Sequence, residues 1–261
     1  MILRFLGTGT SFGIPVVGCD CAVCTSPDPR DRRSRSGALL TSDDGSRVLL
    51  VDTPPELRLQ LLRARVRRVD AIWITHCHAD HIHGIDDLRV FSAHLGGVVP
   101  AWAPEDCAAV LRQRFSYIFD PGYEPPEGTS KPEIRLHVLH PYQPVSVAGF
   151  QATPLPVLHG DLRPFGFRIG ALGYVTDAKS LPPETFDALR GVRVLVLNAL
   201  WWGNAHPTHL NVQEAIALAH QLGAERTYLT HLTHRLRHAD LAARLPAGIE
   251  PAYDGLEVTV D

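Results

Sequence analysis

The chain has 261 residues, 45% hydrophobic and 20% charged, with a formal charge of −3. That composition suits a soluble, well-cored enzyme, and since nothing reads as a linker we expect a single domain over 1–261. No run of eighteen apolar residues offers a membrane span, and the negative balance argues against nucleic acid as a general partner.

Residues 1–7 read as a first strand rather than a signal peptide, which makes the cytoplasm the expected compartment. The strand, 2–6, runs into Gly7-Thr8-Gly9-Thr10, a turn that lets backbone approach closely. A phosphate-cradling loop is the alternative, but no Walker pattern follows. Next come Cys19, Cys21 and Cys24 at C-x-C-x2-C spacing. Three thiols always leave one unpaired, and soft thiolates in this density favour zinc, with a fourth ligand from elsewhere. Three unrelated buried cysteines are the plainer reading, and a catalytic thiol lacks a base nearby in sequence.

Strands are expected at 38–41 and 47–52, joined through an Asp-Gly hairpin signal at 44–45. Thr53 then opens a helix as N-cap, with Glu56 at N3 and Leu57, Leu61 and Leu62 facing a core. Asp52, at a strand end, either orients a metal ligand or closes a turn. The strand at 69–75 delivers His76-Cys77-His78-Ala79-Asp80-His81, a concentration of imidazole and carboxylate that suits zinc, manganese or iron. A short helix carries Ile82, Ile85, Leu88 and Val90, a longer one spans 105–119, and 120–132 is a Pro/Gly-rich surface excursion.

Further strands are expected at 134–139, 145–147, 150–154, 165–169, 172–176, 192–197, 226–230 and 257–260. The helix at 211–222 is capped by Asn211 and Glu214, and a short one lies at 239–245. His159, Asp177 and His231 each stand just past one of these strands. Of the fourteen histidines, His83, His94, His137, His140, His220 and His238 read as structural or exposed. Strands and helices alternate among many hairpins, so the class is α/β, with two helix-covered sheets preferred to one parallel sheet.

The order H-x-H-x-D-H at 76–81, followed by His159, Asp177 and His231, resembles the metallo-β-lactamase superfamily over essentially the whole chain. The resemblance implies an αββα sandwich, two mixed β-sheets flanked by helices, with the site along one sheet edge. It also implies two divalent ions, Mn2+ or Zn2+: one on His76, His78 and His159, the other on Asp80, His81 and His231, with Asp177 bridging. Gly7-Thr8-Gly9-Thr10-Ser11, the cysteine cluster at 18–24 and Thr230-His231-Leu232-Thr233-His234 are similar to the phosphodiesterase of the carbon–phosphorus lyase pathway. That subgroup opens 5-phosphoribosyl 1,2-cyclic phosphate and holds a structural Zn2+ at positions matched here by Cys19, Cys21, Cys24 and His234.

The implied activity is hydrolysis of small cyclic phosphodiesters through a hydroxide bridging the two ions, with Asp80 in the catalytic set. His209, just before the N-cap Asn211, resembles the family's non-ligand active-site histidine and would protonate the leaving group. His206 is the alternative donor, and a plain capping-loop histidine is the reading without chemistry. Arg163 is a candidate clamp for a second phosphate and Trp201 a candidate pocket wall, with a surface arginine and a core tryptophan as the ordinary readings. Other functions within reach are a tRNA 3′-processing endonuclease, which would want a basic arm, and a non-catalytic carrier of the pyrroloquinoline-quinone biosynthesis type. Expected partners are a small-molecule phosphodiester, no membrane and no nucleic acid, with a homodimer left open.

Overall fold

The computed structural model describes residues 1–95 and 97–261, and the side chain of His94 lies outside the described residues. The first sheet comprises β1 (Ile2–Gly7), β2 (Gly37–Thr41), β3 (Val48–Val51), β4 (Ala71–Trp73), β5 (Val99–Pro104), β6 (Ile134–Leu139) and β14 (Glu257–Thr259). The second comprises β7 (Val145–Val147), β8 (Phe150–Pro156), β9 (Phe165–Ile169), β10 (Leu172–Tyr174), β11 (Val194–Asn198), β12 (Arg226–Thr230) and β13 (Ile249–Pro251). Their orders are β14-β1-β2-β3-β4-β5-β6 and β13-β12-β11-β10-β9-β8-β7.

Period-two alternation of the side chains builds the layers. Leu3, Phe5, Leu40, Leu49 and Trp73 point into the space between the sheets, where they meet Phe167, Tyr174, Val194 and Val196. Their neighbours Leu6, Leu39, Leu50 and Ile72 turn to the opposite face. There they pack against Leu57 and Leu61 of α1 (Leu57–Arg63), Ile82 of α2 (Ala79–Ile82), Phe91 of α3 (Arg89–Leu95), Leu111 of α4 (Glu105–Arg114) and Ile118 of α5 (Ser116–Phe119). On the second sheet Leu195, Leu197 and Leu229 face Leu189 of α6 (Pro183–Leu189), Val212 and Ala215 of α7 (Val212–Leu222) and Leu241 of α8 (His238–Arg244). Each fully buried leucine contributes about 1.5–3 kcal/mol. Trp73 is wholly buried and spends its one polar atom on the carbonyl of Phe165, 2.8 Å away.

Strand direction then decides where loops can meet. β1 and β3 both run antiparallel to β2, β4 to β6 continue parallel to β3, β8 and β10 are both antiparallel to β9, and β11 to β13 run parallel to β10. The carboxyl ends of β1, β3 and β4 therefore share one edge of the first sheet, and those of β8, β10, β11 and β12 share one edge of the second. A bridge between Gly9 and Leu232 and a bond from Phe165 N to Thr75 O, 2.8 Å, join the two edges. Close approach requires the glycines here: a Cβ on Gly7 would stand 2.0 Å from the carbonyl oxygen of Arg35.

Several expectations are corrected. Helix α1 starts at Leu57, with Glu56 rather than Thr53 at its N-cap; the N–H and Oγ1 of Thr53 both turn to the carbonyl of His81, 2.8 and 3.4 Å away. Leu62 is 60% exposed rather than inward. The helix expected over 105–119 breaks at Phe115 (φ −118°) into α4 and α5. Strands β5 and β13 and helix α6 were not foreseen; β5 carries prolines at Pro100 and Pro104, which ordinarily argue against a strand. The Asn211/Glu214 capping box forms in full, and Gly223 (φ 71°) ends α7 in the left-handed conformation.

Asn211 also donates from Nδ2 to Gly203 O at 2.7 Å, so it holds both α7 and the loop before it. Asn211→Ala should cost about 1–2 kcal/mol in urea unfolding, whereas Asn211→Asp, which keeps the cap acceptor, should recover at least half of that.

Candidate metal centre

The site is built where strands stop. Asp52 follows β3, His76 to His81 follow β4, His159 follows β8, Asp177 follows β10, and His231 follows β12. Asp52 (φ 61°), Asp177 (φ 53°) and His231 (φ 56°) are three of the six non-glycine residues with positive φ among the described residues. Such backbone costs about 1–3 kcal/mol per residue and persists where the surroundings over-determine it. Here the strand must turn abruptly to aim a side chain across the edge.

Hydrogen bonds assign the imidazole tautomers. His81 Nδ1 lies 2.7 Å from Asp52 Oδ2, and Asp52 also receives Thr75 N and Thr75 Oγ1 at 2.8 Å each. His159 Nδ1 lies 2.9 Å from Thr208 O, a carbonyl that can only accept. Ser36 Oγ gives its proton to Gly9 O at 2.9 Å, so His231 Nδ1, 3.1 Å away, must donate to it. Thr75 Oγ1 likewise gives its proton to Asp52 and receives His76 Nδ1 at 3.1 Å. In His76, His159 and His231 Nδ1 bears the hydrogen and Nε2 keeps a lone pair, while the Asp52 carboxylate holds a proton on Nδ1 of His81, the arrangement by which neighbouring groups prepare histidine for a metal.

Those nitrogens converge. The ligand atoms of His76, His78 and His159 lie within 4.8 Å of one another, as do those of His76, His81 and Asp177. His81 Nε2 sits 3.5 Å from Asp80 Oδ2 and 3.3 Å from Asp177 Oδ2, and it is buried without a hydrogen-bond partner. His231 Nε2 lies 3.3 Å from Asp177 Oδ1. Asp177 is thus the shared carboxylate. Asp80, His81 and His231, expected as one ligand triplet, do not form such a mutual group and are instead linked through Asp177 and His81.

The electrostatics demand positive charge at this point. Burial works against both charged forms, yet Asp177, Asp80 and Asp52 outweigh it and push His81 well above the usual histidine range. Asp177 is held well below the carboxylate range by His231, His81, His209 and His76, again against its burial. Burial pulls His76 down well below its ordinary value and His231 down to about 4. A ring of neutral imidazoles and ionised carboxylates around one imidazolium is a donor set that a divalent cation fits.

His209 enters the same cluster: its Nε2 is 3.0 Å from Asp177 Oδ1, its Nδ1 is 2.9 Å from Thr208 Oγ1, and its ring stacks on His231 at 5.0 Å. A cavity of about 440 Å³ opens here, lined by Ser11, His78, Asp80, His159, Asp177 and His209 among others. Among the described residues, a larger concavity of about 620 Å³ between α1 and α3 has no cluster of metal-ligating groups. His206 stands behind His209, its Nδ1 3.3 Å from His209 Nδ1, and Trp201 behind His206 with ring centroids 5.3 Å apart, so neither lines the cavity. Arg163 bonds the carbonyls of Gly160 and Leu162 at 3.3 and 3.0 Å, turned back on its own loop rather than clamping a phosphate. His83 lies edge-on to Phe115, and Cys77 packs into the helix-side core. Ser36 and Thr208 carry no motif that would single them out in sequence; Thr75 could have been found as the residue leading the histidine cluster.

The second cluster answers the search for a fourth ligand. His234 Nδ1 stands 3.3, 3.6 and 3.6 Å from the sulfurs of Cys19, Cys21 and Cys24. Zinc held tetrahedrally at about 2.3 Å from sulfur and 2.0–2.1 Å from nitrogen would give sulfur–nitrogen edges of about 3.5 Å, so the four residues fit that ion. The Cys24 N–H donates to Cys21 Sγ and draws that thiol down to about 6, while burial pushes Cys24 up to about 11. Behind the cluster a fully buried Arg33 bonds the carbonyls of Thr233 and Leu236 at 3.1 and 2.8 Å and reinforces the same junction.

A family profile described as "Beta-lactamase superfamily domain" matches residues 47–232. A crystal structure of a new diphosphatase from the PhnP family superposes with a TM-score of 0.90 at 39% identity, covering 100% of this chain and 98% of that one. An octanoyltransferase of Porphyromonas gingivalis is 37% identical over 98% of this chain but only 51% of its own, so this chain spans about half the length of that relative. A ribonuclease Z from Pyrobaculum aerophilum is 27% identical over 77% of this chain and 83% of its own.

Asp52→Asn exchanges an ionised acceptor for an amide against His81 and should weaken divalent-metal affinity by about 10–100-fold in chelator competition. Cys21→Ser should instead lower the thermal midpoint and release one equivalent of zinc while leaving metal affinity at His76, His78 and His159 within about 3-fold.

Proposed function

The chain belongs to the β-lactamase superfamily, and from that premise we propose that it is a metal-dependent hydrolase of small phosphodiesters, cyclic ones such as 5-phosphoribosyl 1,2-cyclic phosphate included. The observation that carries the reading is Asp177, a buried carboxylate shared among His81, His209 and His231 and opposed by Asp80. His76, His78 and His159 would hold one divalent ion and Asp80, His81 and His231 the other, the second set being linked through His81 and the shared carboxylate of Asp177, with Mn2+ or Zn2+ as the ions. When bound, such a pair lowers the pKa of a water toward neutrality and withdraws charge from phosphoryl oxygens. A structural Zn2+ on Cys19, Cys21, Cys24 and His234 completes the metal content.

The protein's own part is orientation and proton supply. Asp52, Ser36, Thr75 and the Thr208 carbonyl keep the ring nitrogens aimed inward. His209 lies in the cavity wall with Nε2 3.0 Å from Asp177 Oδ1 and Nδ1 2.9 Å from Thr208 Oγ1. As the water oxygen joins phosphorus and the bond to the leaving oxygen breaks, His209 passes its proton to that alkoxide, giving a phosphomonoester and an alcohol. A cavity of about 440 Å³ supports a small-molecule substrate over a folded RNA. The diphosphatase relative supports a second reading in which the same in-line displacement acts on a phosphoanhydride.

With Mn2+ or Zn2+ supplied, ribose 1,2-cyclic phosphate, 2′,3′-cyclic nucleotides and a dinucleoside diphosphate should include at least one substrate turned over well above precursor tRNA. No turnover of any of them removes the reading. His209→Ala should lower kcat by about 10²–10⁴-fold on an alkoxide-leaving diester with bound metal unchanged. Loss of metal in that variant would make His209 a ligand instead.

A further inference from the structure

The two metal-type clusters are joined by a continuous set of side chains. Thr233, the residue before His234, donates from both N and Oγ1 to Leu200 O, at 3.3 and 2.7 Å. Leu200 begins the loop that ends at His209, and the loop's ends are tied by Leu200 N to Leu210 O at 3.1 Å. Arg235, the residue after His234, is exposed, yet its guanidinium lies over the ring of Trp201 at 4.6 Å. Trp201 in turn meets the edge of His206 at 5.3 Å and fixes the turn by donating from Nε1 to Asn204 O at 2.9 Å. His206 meets His209 with centroids 5.1 Å apart. The sequence from His234 outward is therefore Arg235, Trp201, His206, His209, at successive separations of 4.6, 5.3 and 5.1 Å measured to ring centroids.

We infer that Arg235, acting through Trp201 and His206, is a positioning residue for His209, so that the Cys19/Cys21/Cys24/His234 cluster sets catalytic geometry as well as stability. An exposed arginine would ordinarily extend into water; here its flat cation is stacked on an indole by the short chain distance from His234. His206 and His209 sit in a loop made rigid at its base by Leu200, Leu210 and Asn211, and the stacked cap closes its tip. Displacement of the tip would move His209 Nε2 away from the leaving oxygen, and proton transfer is steep in that distance. The loop does touch the ligand set, with Thr208 O 2.9 Å from His159 Nδ1 and His209 Nε2 3.0 Å from Asp177 Oδ1, so metal content is measured alongside turnover.

This inference rests on His209 as the proton donor, and the leaving group separates the two. A p-nitrophenolate leaves without a proton, whereas the alkoxide of a 2′,3′-cyclic nucleotide needs one. Arg235→Ala should lower kcat on the cyclic nucleotide by about 10-fold or more with little change in KM, and change kcat on bis-p-nitrophenyl phosphate by less than about 2-fold. Metal content should match the wild type, and Arg235→Lys, which keeps a cation over the ring, should restore part of the loss. In metal-free protein, acrylamide should quench tryptophan fluorescence more strongly in Arg235→Ala than in wild type. Equal losses on both substrates, no loss on either, or unchanged quenching overturns the positioning role. If His209→Ala also fails to discriminate the two substrates, the proton-donor reading falls and this inference with it; if His209→Ala discriminates and Arg235→Ala does not, only this inference falls.

Discussion

A buried carboxylate cannot stay ionised in a protein interior unless something pays its desolvation, and Asp52, Asp80 and Asp177 crowd around the single imidazole of His81. The remaining structure is arranged to keep that unfavourable concentration of charge in place. Two sheets bring their strand ends to a common edge, the left-handed backbone at Asp52, Asp177 and His231 turns each side chain inward, and two hydroxyls, a carbonyl and a carboxylate take up Nδ1 of His231, His76, His159 and His81. The His81 Nε2 that no protein group satisfies lies between two carboxylate oxygens. A divalent cation is what resolves this geometry, and it is why the proposed chemistry is hydrolytic rather than thiol- or nucleotide-based.

The fold's edge-to-edge design also explains the place of the cysteine cluster. The loop holding Cys19, Cys21 and Cys24 leaves β1, whose carboxyl end faces the end of β12, and His234 follows that end directly. Arg33 and Asp254 close the same junction from behind; Asp254 accepts from Thr8 and Ser34 through both oxygens, at 2.6–2.9 Å. A region whose apolar core beyond the cysteines is Ile14, Val23 and the half-buried Val16 needs such polar and thiolate fastening.

Much of this was legible in the sequence because the informative residues cluster. His76 to His81 stand in one hexad, and His159, Asp177 and His231 each follow an apolar run, so strand end and ligand type could be read together. The Asn211/Glu214 box was legible for the same reason, as a local hydrogen-bond pattern with fixed spacing. What stayed hidden depends on contacts remote in sequence. Thr53 looks like an N-cap, but its hydroxyl turns with its N–H to the carbonyl of His81, and Ser36 meets His231 across 195 residues of chain. Strand β5 hides behind its prolines, Pro100 and Pro104, which stand near its two ends, outside the Ala101–Trp102 stretch that pairs with β4. Arg163 reads as a clamp from spacing alone, but its loop carbonyls hold it away from the cavity.

Anomalous scattering from crystals of the protein grown with Zn2+ and Mn2+ tests the central claim most directly. The account predicts two peaks flanking Asp177, one reached by His76, His78 and His159 and the other by Asp80, His81 and His231, with a third at Cys19, Cys21, Cys24 and His234. A map with no peak beside Asp177, or with its only peak at the cysteines, would contradict it.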